Sequence, residues 1–144
     1  MAIVTVKFTK RKAVFIIIGA AVLLALLVLL FSQPGGNDVR TAQGRVDYLS
    51  ALGWEVDPAS EECEQILLPK QFENVLQAYN ELQLDQGFDL EKYAGLECSR
   101  YTYQVTNYPN GDLNVLAQLF VYGNHVIGGD IHSTALDGFM HGLK

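Results

Sequence analysis

The run from Ala13 to Phe31 contains no polar side chain, and it constrains the chain more than any other feature of the sequence. As an α-helix with a rise of 1.5 Å per residue, it would be about 28 Å long, which matches the hydrocarbon core of a bilayer. No face of such a helix would be polar, whereas a helix on the surface of a soluble domain has a polar face. The run therefore predicts a transmembrane helix over residues 13–31.

The basic residues around this run predict its orientation. Lys7, Lys10, Arg11 and Lys12 precede it, and Arg40 is the first basic residue after it. The positive-inside bias places residues 1–12 in the cytoplasm and the rest of the chain outside the cell membrane. A cleaved signal peptide is the alternative, but its apolar region is usually shorter and ends at a small-residue cleavage site, which residues 31–34 lack. We expect an uncleaved signal anchor that holds a single-pass protein in membrane lipid.

The charge of the chain is divided unevenly on the two sides of this run. All 16 acidic residues follow it, opposed only by Arg40, Arg45, Lys70, Lys92, Arg100 and Lys144, so the external part has a net charge of −10. A nucleic-acid-binding surface would be basic, so this function class is excluded. Pro34 and paired glycines mark residues 32–38 as a linker, and residues 39–144 are long enough for one extracytoplasmic domain.

Two helices are predicted in this domain by apolar residues at helical spacing. The first lies between Val39 and Leu52 and ends before Gly53. The second begins at Pro69 and ends near Gly87, and Asp89 to Tyr93 form a further short turn. The apolar stripe of the second helix consists of Phe72, Val75, Leu76, Tyr79 and Leu82.

Strands are predicted where apolar and polar residues alternate. Two short extended pieces lie before Pro58 and over 65–68. Three longer strands follow, from Leu96 through Val105, from Leu113 to Tyr122 and from Val126 to Ser133, separated by turns at 109–112 and 123–124. This order predicts an α+β fold in which two main helices pack on one face of a small antiparallel β-meander.

The strand from Leu113 to Tyr122 offers a candidate partner surface. One of its faces is wholly apolar, and we expect that face to pack under the second helix. The opposite face carries Leu116, Phe120 and Tyr122 among polar residues. Either the first helix, with Val46 and Leu49, covers this face, or the three side chains form an exposed patch of the kind that marks a contact site.

The residues that could bind a metal or take part in catalysis lie near the C-terminal end. Asp130 and His132 share one strand face, and His125 and His141 are close in sequence, so together they could supply nitrogen and oxygen ligands for zinc. More often such histidines are solvated or singly hydrogen-bonded, and no metal-ligand spacing or nucleotide-binding motif occurs. Gly128-Gly129 predicts a β-bulge or a close backbone approach rather than a phosphate cradle. No cofactor is expected.

Cys63 and Cys98 are the only cysteines. Export would permit a disulfide between them, which we slightly favour. The alternative is two buried thiols that act as small apolar side chains.

Five phrases of the domain carry a family resemblance. They are Tyr48-Leu49, Gly53-Trp54-Glu55-Val56, the run from Tyr79 to Gln83, the run from Gly87 to Leu90 and the run from Ile127 to Ile131. Together they resemble the bacterial domain of unknown function 4830, over about residues 40–144. The resemblance implies a small membrane-anchored protein of clostridial-type bacteria. It implies no catalytic residue, because the family carries no assigned activity.

These observations predict a binding or interaction module at the cell envelope, with an unknown envelope protein or a small ligand as partner. The alternative is a small envelope hydrolase, with or without zinc, that uses the Asp130/His132 neighbourhood.

Overall fold

The computed structural model describes residues 10–31 and 38–144. Most of the predicted basic N-terminus, residues 1–9, and most of the predicted linker, residues 32–37, lie outside the described residues. Helix α1 is Lys10–Phe31, so the predicted apolar helix is present. It is the one described helix that is long and apolar enough to cross a membrane, and a signal sequence meets the same criteria.

Residues 37–144 form a separate compact unit. Its elements are α2 (Ala42–Ala51), β1 (Val56–Leu67), α3 (Asn74–Asp85), a 3-10 helix (Leu90–Tyr93), β2 (Glu97–Val105), β3 (Val115–Tyr122), β4 (His125–Ser133) and β5 (Met140–His141). The strands form one antiparallel sheet in the order β1-β2-β3-β4-β5. Helix α3 and the 3-10 helix are inserted between β1 and β2. The predicted α+β class with an antiparallel meander is confirmed.

The two helices cover opposite faces of the sheet, so their predicted placement on one face is wrong. Leu49 of α2 packs in a core with Val115, Ala117 and Leu119 of β3. Tyr79 of α3 packs instead against a second core that contains Phe120. Because successive strand residues point to opposite faces, the two cores are separated by the sheet. Below, face A is the face under α2, and face B is the face under α3.

Helix α3 begins five residues later than the sequence predicts. The backbone of Leu68 pairs with Leu96 and Gly95, which holds the chain extended past Pro69. Asn74, the first residue of the helix, has φ of 51°, a left-handed conformation that cannot continue a right-handed helix backwards. Val75 is consequently 84% exposed and does not belong to the buried stripe.

The predicted strands differ from the observed ones at three places. The two short pieces predicted around Pro58 and 65–68 are one strand, β1, with a register shift between Asp57 and Glu62 that accommodates the missing N–H of Pro58. Strand β3 begins at Val115, because the side chains of Asn110 and Asp112 hold a turn that leaves Leu113 exposed. Strand β5 was not predicted, since two residues carry no detectable alternation.

The sheet has two ends, which differ in chemistry. The chain enters the domain at Val39, whose N–H donates to the side chain of Asn124 in the β3–β4 turn at 3.0 Å. We call this the entry end; it also holds the last residues of β1 and the first of β2. The opposite or far end consists of residues 53–60, the β2–β3 connection, the β4–β5 connection and the start of β5.

Candidate functional site

Asp130, on face B of β4, is fully buried and accepts hydrogen bonds from three side chains. The Tyr79 hydroxyl of α3 donates to it, Gln118 Nε2 donates at 3.1 Å, and His132 Nδ1 lies 2.6 Å away. Burial raises the pKa of Tyr79, and the charge of Asp130 raises it further, so the phenol keeps its proton and remains a donor. A buried carboxylate is tolerated only with such donors, and here they join α3 to β3 and β4.

Asp130 and His132 lie on one strand face and in contact, as the alternation predicts, but the other histidines lie elsewhere. His125 is exposed at the entry end, opposite Tyr122. His141 lies on β5, where it pairs with Ile131 of face A. Within 10–31 and 38–144 no group of three or more His, Cys, Asp or Glu side chains is placed to hold a metal ion. The predicted four-residue zinc neighbourhood therefore does not assemble.

Gln83 of α3 and Gln86, which follows the helix, hydrogen-bond the outer edge of β4, which β5 pairs only at Ile131 and His132. Gly129 N donates to Gln83 Oε1 at 2.8 Å, and Gln86 Nε2 donates to the Gly129 carbonyl at 3.1 Å. A Cβ on Gly129 would lie 2.4 Å from the Gln118 carbonyl oxygen, so only glycine fits there. The bulge and close approach predicted at Gly128-Gly129 are confirmed, with the register shift between Phe120 and Val121.

A second buried polar cluster lies on face A, and no pattern in the sequence predicts it. Arg45 of α2 is only 4% exposed. Its guanidinium donates to both carboxylate oxygens of Glu61 at 3.0 Å and to the hydroxyl of Tyr103 at 2.9 Å, and it lies 3.7 Å from the ring centre of Tyr101. Burial lowers the pKa of Arg45, but the hydrogen bonds to Tyr103 and Glu61 outweigh burial and raise it. The cluster joins α2 to β1 and β2.

The sequence held only weak indications of these clusters. The helical spacing places Tyr79 in an apolar stripe and indicates no role for its hydroxyl. Arg45 lies within an apolar helix pattern, where a basic residue can extend its charge to solvent instead of burying it. The partner of Arg45 is 16 residues away in a bulged strand, and no local pattern indicates that pairing.

Leu116, Phe120 and Tyr122 do not form one exposed patch. Phe120 is 5% exposed, and its ring centre lies 6.0 Å from that of Tyr79. Tyr122 packs on Tyr93 of the 3-10 helix and stays exposed, and Leu116 is half-buried. A helix covers this face of β3, which is one of the two alternatives that the sequence leaves open. The helix that covers it is α3, however, and not α2.

Other exposed apolar side chains lie at the far end. Leu113, Leu136 and Met140 are exposed there, and we call these three residues the far-end patch. The segments that carry them are joined by hydrogen bonds from Thr134 N to the Asn114 carbonyl and from Ser133 N to the Phe139 carbonyl. The patch therefore lies on connected backbone rather than on independent loops.

A stack of half-buried aromatic rings supports the far end. It consists of Trp54, Tyr108, Phe139 and His141, with neighbouring ring centres 5.0–5.9 Å apart. His141 Nδ1 lies 2.8 Å from the carbonyl of Gly142, which can only accept, so Nδ1 carries a proton, and Nε2 lies 2.9 Å from the Tyr108 hydroxyl. The indole N–H of Trp54 donates to the Leu143 carbonyl. These bonds fix the orientation of the rings.

Cys63 and Cys98 are free thiols, and the sheet keeps them apart. Cys98 lies opposite Ile66 in the β1–β2 ladder, whereas Cys63 lies opposite Tyr101. An offset of three residues along β1 is about 10 Å and places the two side chains on opposite faces. A disulfide requires closer Cα atoms, so the pairing favoured from the sequence is contradicted by the strand register.

The exposure of the two thiols predicts different reactivity. A maleimide reagent applied to the folded, unreduced protein should modify Cys63 rapidly and leave Cys98 intact, because Cys98 is buried and burial raises the pKa of its thiol. Mass spectrometry should find one adduct before and two after denaturation in urea. The Cys63→Ser variant is the control and should gain no adduct until it unfolds. Recovery of no free thiol would contradict the register.

Comparison with known proteins identifies the family of this chain but assigns it no activity. No curated protein and no solved structure matches the chain. A family model matches residues 48–131, which extend from α2 to β4 and include Glu61, Tyr79 and Asp130. This segment covers more than half of the chain, so the chain belongs to the family described as a domain of unknown function, DUF4830.

Proposed function

We propose that this protein is anchored in the cell membrane by α1 and that its extracytoplasmic domain is a module that binds another envelope protein. Four basic residues lie before the apolar run, and three of them form the start of α1. This arrangement supports a membrane anchor whose N-terminus is cytoplasmic. The observation that carries the binding role is the far-end patch, because its three exposed apolar side chains lie on hydrogen-bonded segments and exposed apolar surface marks contact sites.

The charges around the far-end patch define the chemistry of its partner. Glu55, Asp57, Asp112 and Asp137 lie at the far end, and the described residues 53–60, 104–115 and 133–141 include no Lys or Arg. A complementary surface would have an apolar centre and a basic rim. Charge complementarity of this kind speeds association and selects partners, and it weakens as salt is added.

A substitution at the centre of the patch tests this role. Leu136 is fully exposed, so Leu136→Asp should leave folding unchanged and place a charge where an apolar partner surface would sit. A photoreactive residue at Met140 should cross-link to a discrete partner in intact membranes, and Leu136→Asp should lower the yield about tenfold, as expected for a contact worth about 1.4 kcal/mol.

The matched control is Val75→Asp, which changes an equally apolar and exposed side chain on α3. This variant should retain the cross-linked product in full. The same product at the same yield with Leu136→Asp would overturn the far-end patch as the binding surface.

The hydrolase alternative is supported by one observation, the orientation of His132 by the buried carboxylate of Asp130. Such a pair can hold an imidazole for general-base catalysis. The three donors to Asp130 also account for its burial without a substrate, and no third ligand converges on the pair within the described part of the chain. We therefore assign Asp130 a structural role that joins α3 to the sheet, and propose binding rather than hydrolysis.

A further inference from the structure

The entry end of the domain carries its own exposed apolar side chains and a different charge from the rest of the sheet. Three of these side chains are exposed there: Leu67 is the last residue of β1, Leu96 precedes β2, and Tyr122 is the last residue of β3. Tyrosine and leucine at such a position suit the interfacial region of a bilayer, where amphipathic rings and short apolar side chains are favourable.

Basic residues are also concentrated at the entry end. Arg40 follows Val39, Lys70 lies against Gly95, and Lys92 borders a depression that also contains His125. They are half of the Lys and Arg residues of the domain, opposed at this end by Asp38, Asp89, Glu91 and Glu97. The entry end is therefore close to neutral, whereas the far end has four acidic residues and no Lys or Arg in its described segments.

The covalent chain sets how far this end can be from lipid. Residues 32–38, which follow the apolar helix, reach at most about 25 Å when fully extended. Val39 is already buried in the domain and bonded to the β3–β4 turn, so the chain joins the domain at the entry end.

We infer that the entry end is a docking surface for an anionic lipid bilayer. The domain as a whole is repelled by anionic headgroups, and only its near-neutral end can approach them within a Debye length. Leu67, Leu96 and Tyr122 then contact the interfacial region, and Lys70 and Lys92 lie at headgroup level. Docking turns the far-end patch away from the membrane. This inference rests on the proposed membrane anchor.

Lipid quenching from two exposed leucines at opposite ends of the sheet tests the inference. The full-length protein with Cys63→Ser is labelled with a small fluorophore at either Leu96→Cys or Leu113→Cys and reconstituted into vesicles that contain headgroup spin-labelled lipid. The two sites are at least about 25 Å apart, the length of a strand of this sheet. The probe at position 96 should lose most of its fluorescence. The probe at position 113 should retain most of its fluorescence.

Two further experiments test whether electrostatic attraction contributes to docking. Replacement of anionic lipid by phosphatidylcholine should reduce the quenching at 96, and Lys70→Glu with Lys92→Glu should reduce it in anionic vesicles, with unchanged Trp54 emission as the check on folding. Equal quenching at the two sites, or stronger quenching at 113, would overturn the docking surface.

Failure of the anchor gives a separate result from failure of docking. A protein that alkaline carbonate releases from the vesicles refutes the anchor itself. A protein that stays with the vesicles but shows no preferential quenching at 96 refutes docking alone.

Discussion

The Phe120→Ala variant should lose about 3–5 kcal/mol of the free energy of unfolding, the cost typical of removing a large aromatic side chain from a packed core. Phe120 is buried on face B among Leu68, Leu90, Cys98 and Ile127, and its ring meets the edge of Tyr79. Its removal would leave a cavity between α3 and β3. A partner-facing aromatic would instead affect capture with little change in stability.

Trp54 offers a direct measurement of this loss. It is the only tryptophan, and it packs in the far-end stack while its indole N–H donates to Leu143, so its emission reports unfolding of the whole domain. Urea titration of the full-length protein in detergent would compare Phe120→Ala with Tyr122→Ala, an exposed aromatic two residues along the same face that should cost about 1 kcal/mol or less. A midpoint for Phe120→Ala equal to that of Tyr122→Ala would show that Phe120 is not part of the core.

The Glu61→Leu variant should lose a similar amount, about 3–5 kcal/mol, because it leaves the buried guanidinium of Arg45 without its counter-charge. Arg45 would retain hydrogen bonds to Tyr103 and to the Val39 carbonyl, neither of which carries a charge to balance it. The same urea titration measures the effect.

A double substitution distinguishes a lost ion pair from lost packing. Arg45→Met combined with Glu61→Leu removes both charges and should recover more than half of the stability lost by Glu61→Leu alone. Glu64→Leu is the matched control, since Glu64 pairs with Arg100 in a solvent-exposed bridge worth about 1 kcal/mol or less. If Glu61→Leu and Glu64→Leu cost the same, the burial of Arg45 has no energetic consequence.

Membrane anchoring and partner binding would use opposite ends of one small sheet. The entry end is nearly neutral and is the end at which the chain enters the domain, and the far end is acidic and apolar. Between them, Asp130 and Arg45 hold one helix on each face of the sheet.

The sequence was sufficient for the features that depend on the composition and spacing of neighbouring residues. The apolar run from Ala13 to Phe31 predicts a helix whatever it packs against, because its length and composition alone decide it. The alternation in β2 to β4 and the turns between them predict a meander, because short connections place consecutive strands side by side. The glycines at 128 and 129 indicate a bulge because only a residue without Cβ fits the close approach.

Only the tertiary structure decided which helix covers which face of the sheet. Alternation divides β3 into two faces, but it does not say which face lies under α2. The choice depends on polar partners distant in the chain, since Tyr79 and Asp130 are 51 residues apart and Arg45 and Tyr103 are 58 apart. A buried charge is stable only where its donors converge in three dimensions, and that convergence is invisible in local sequence.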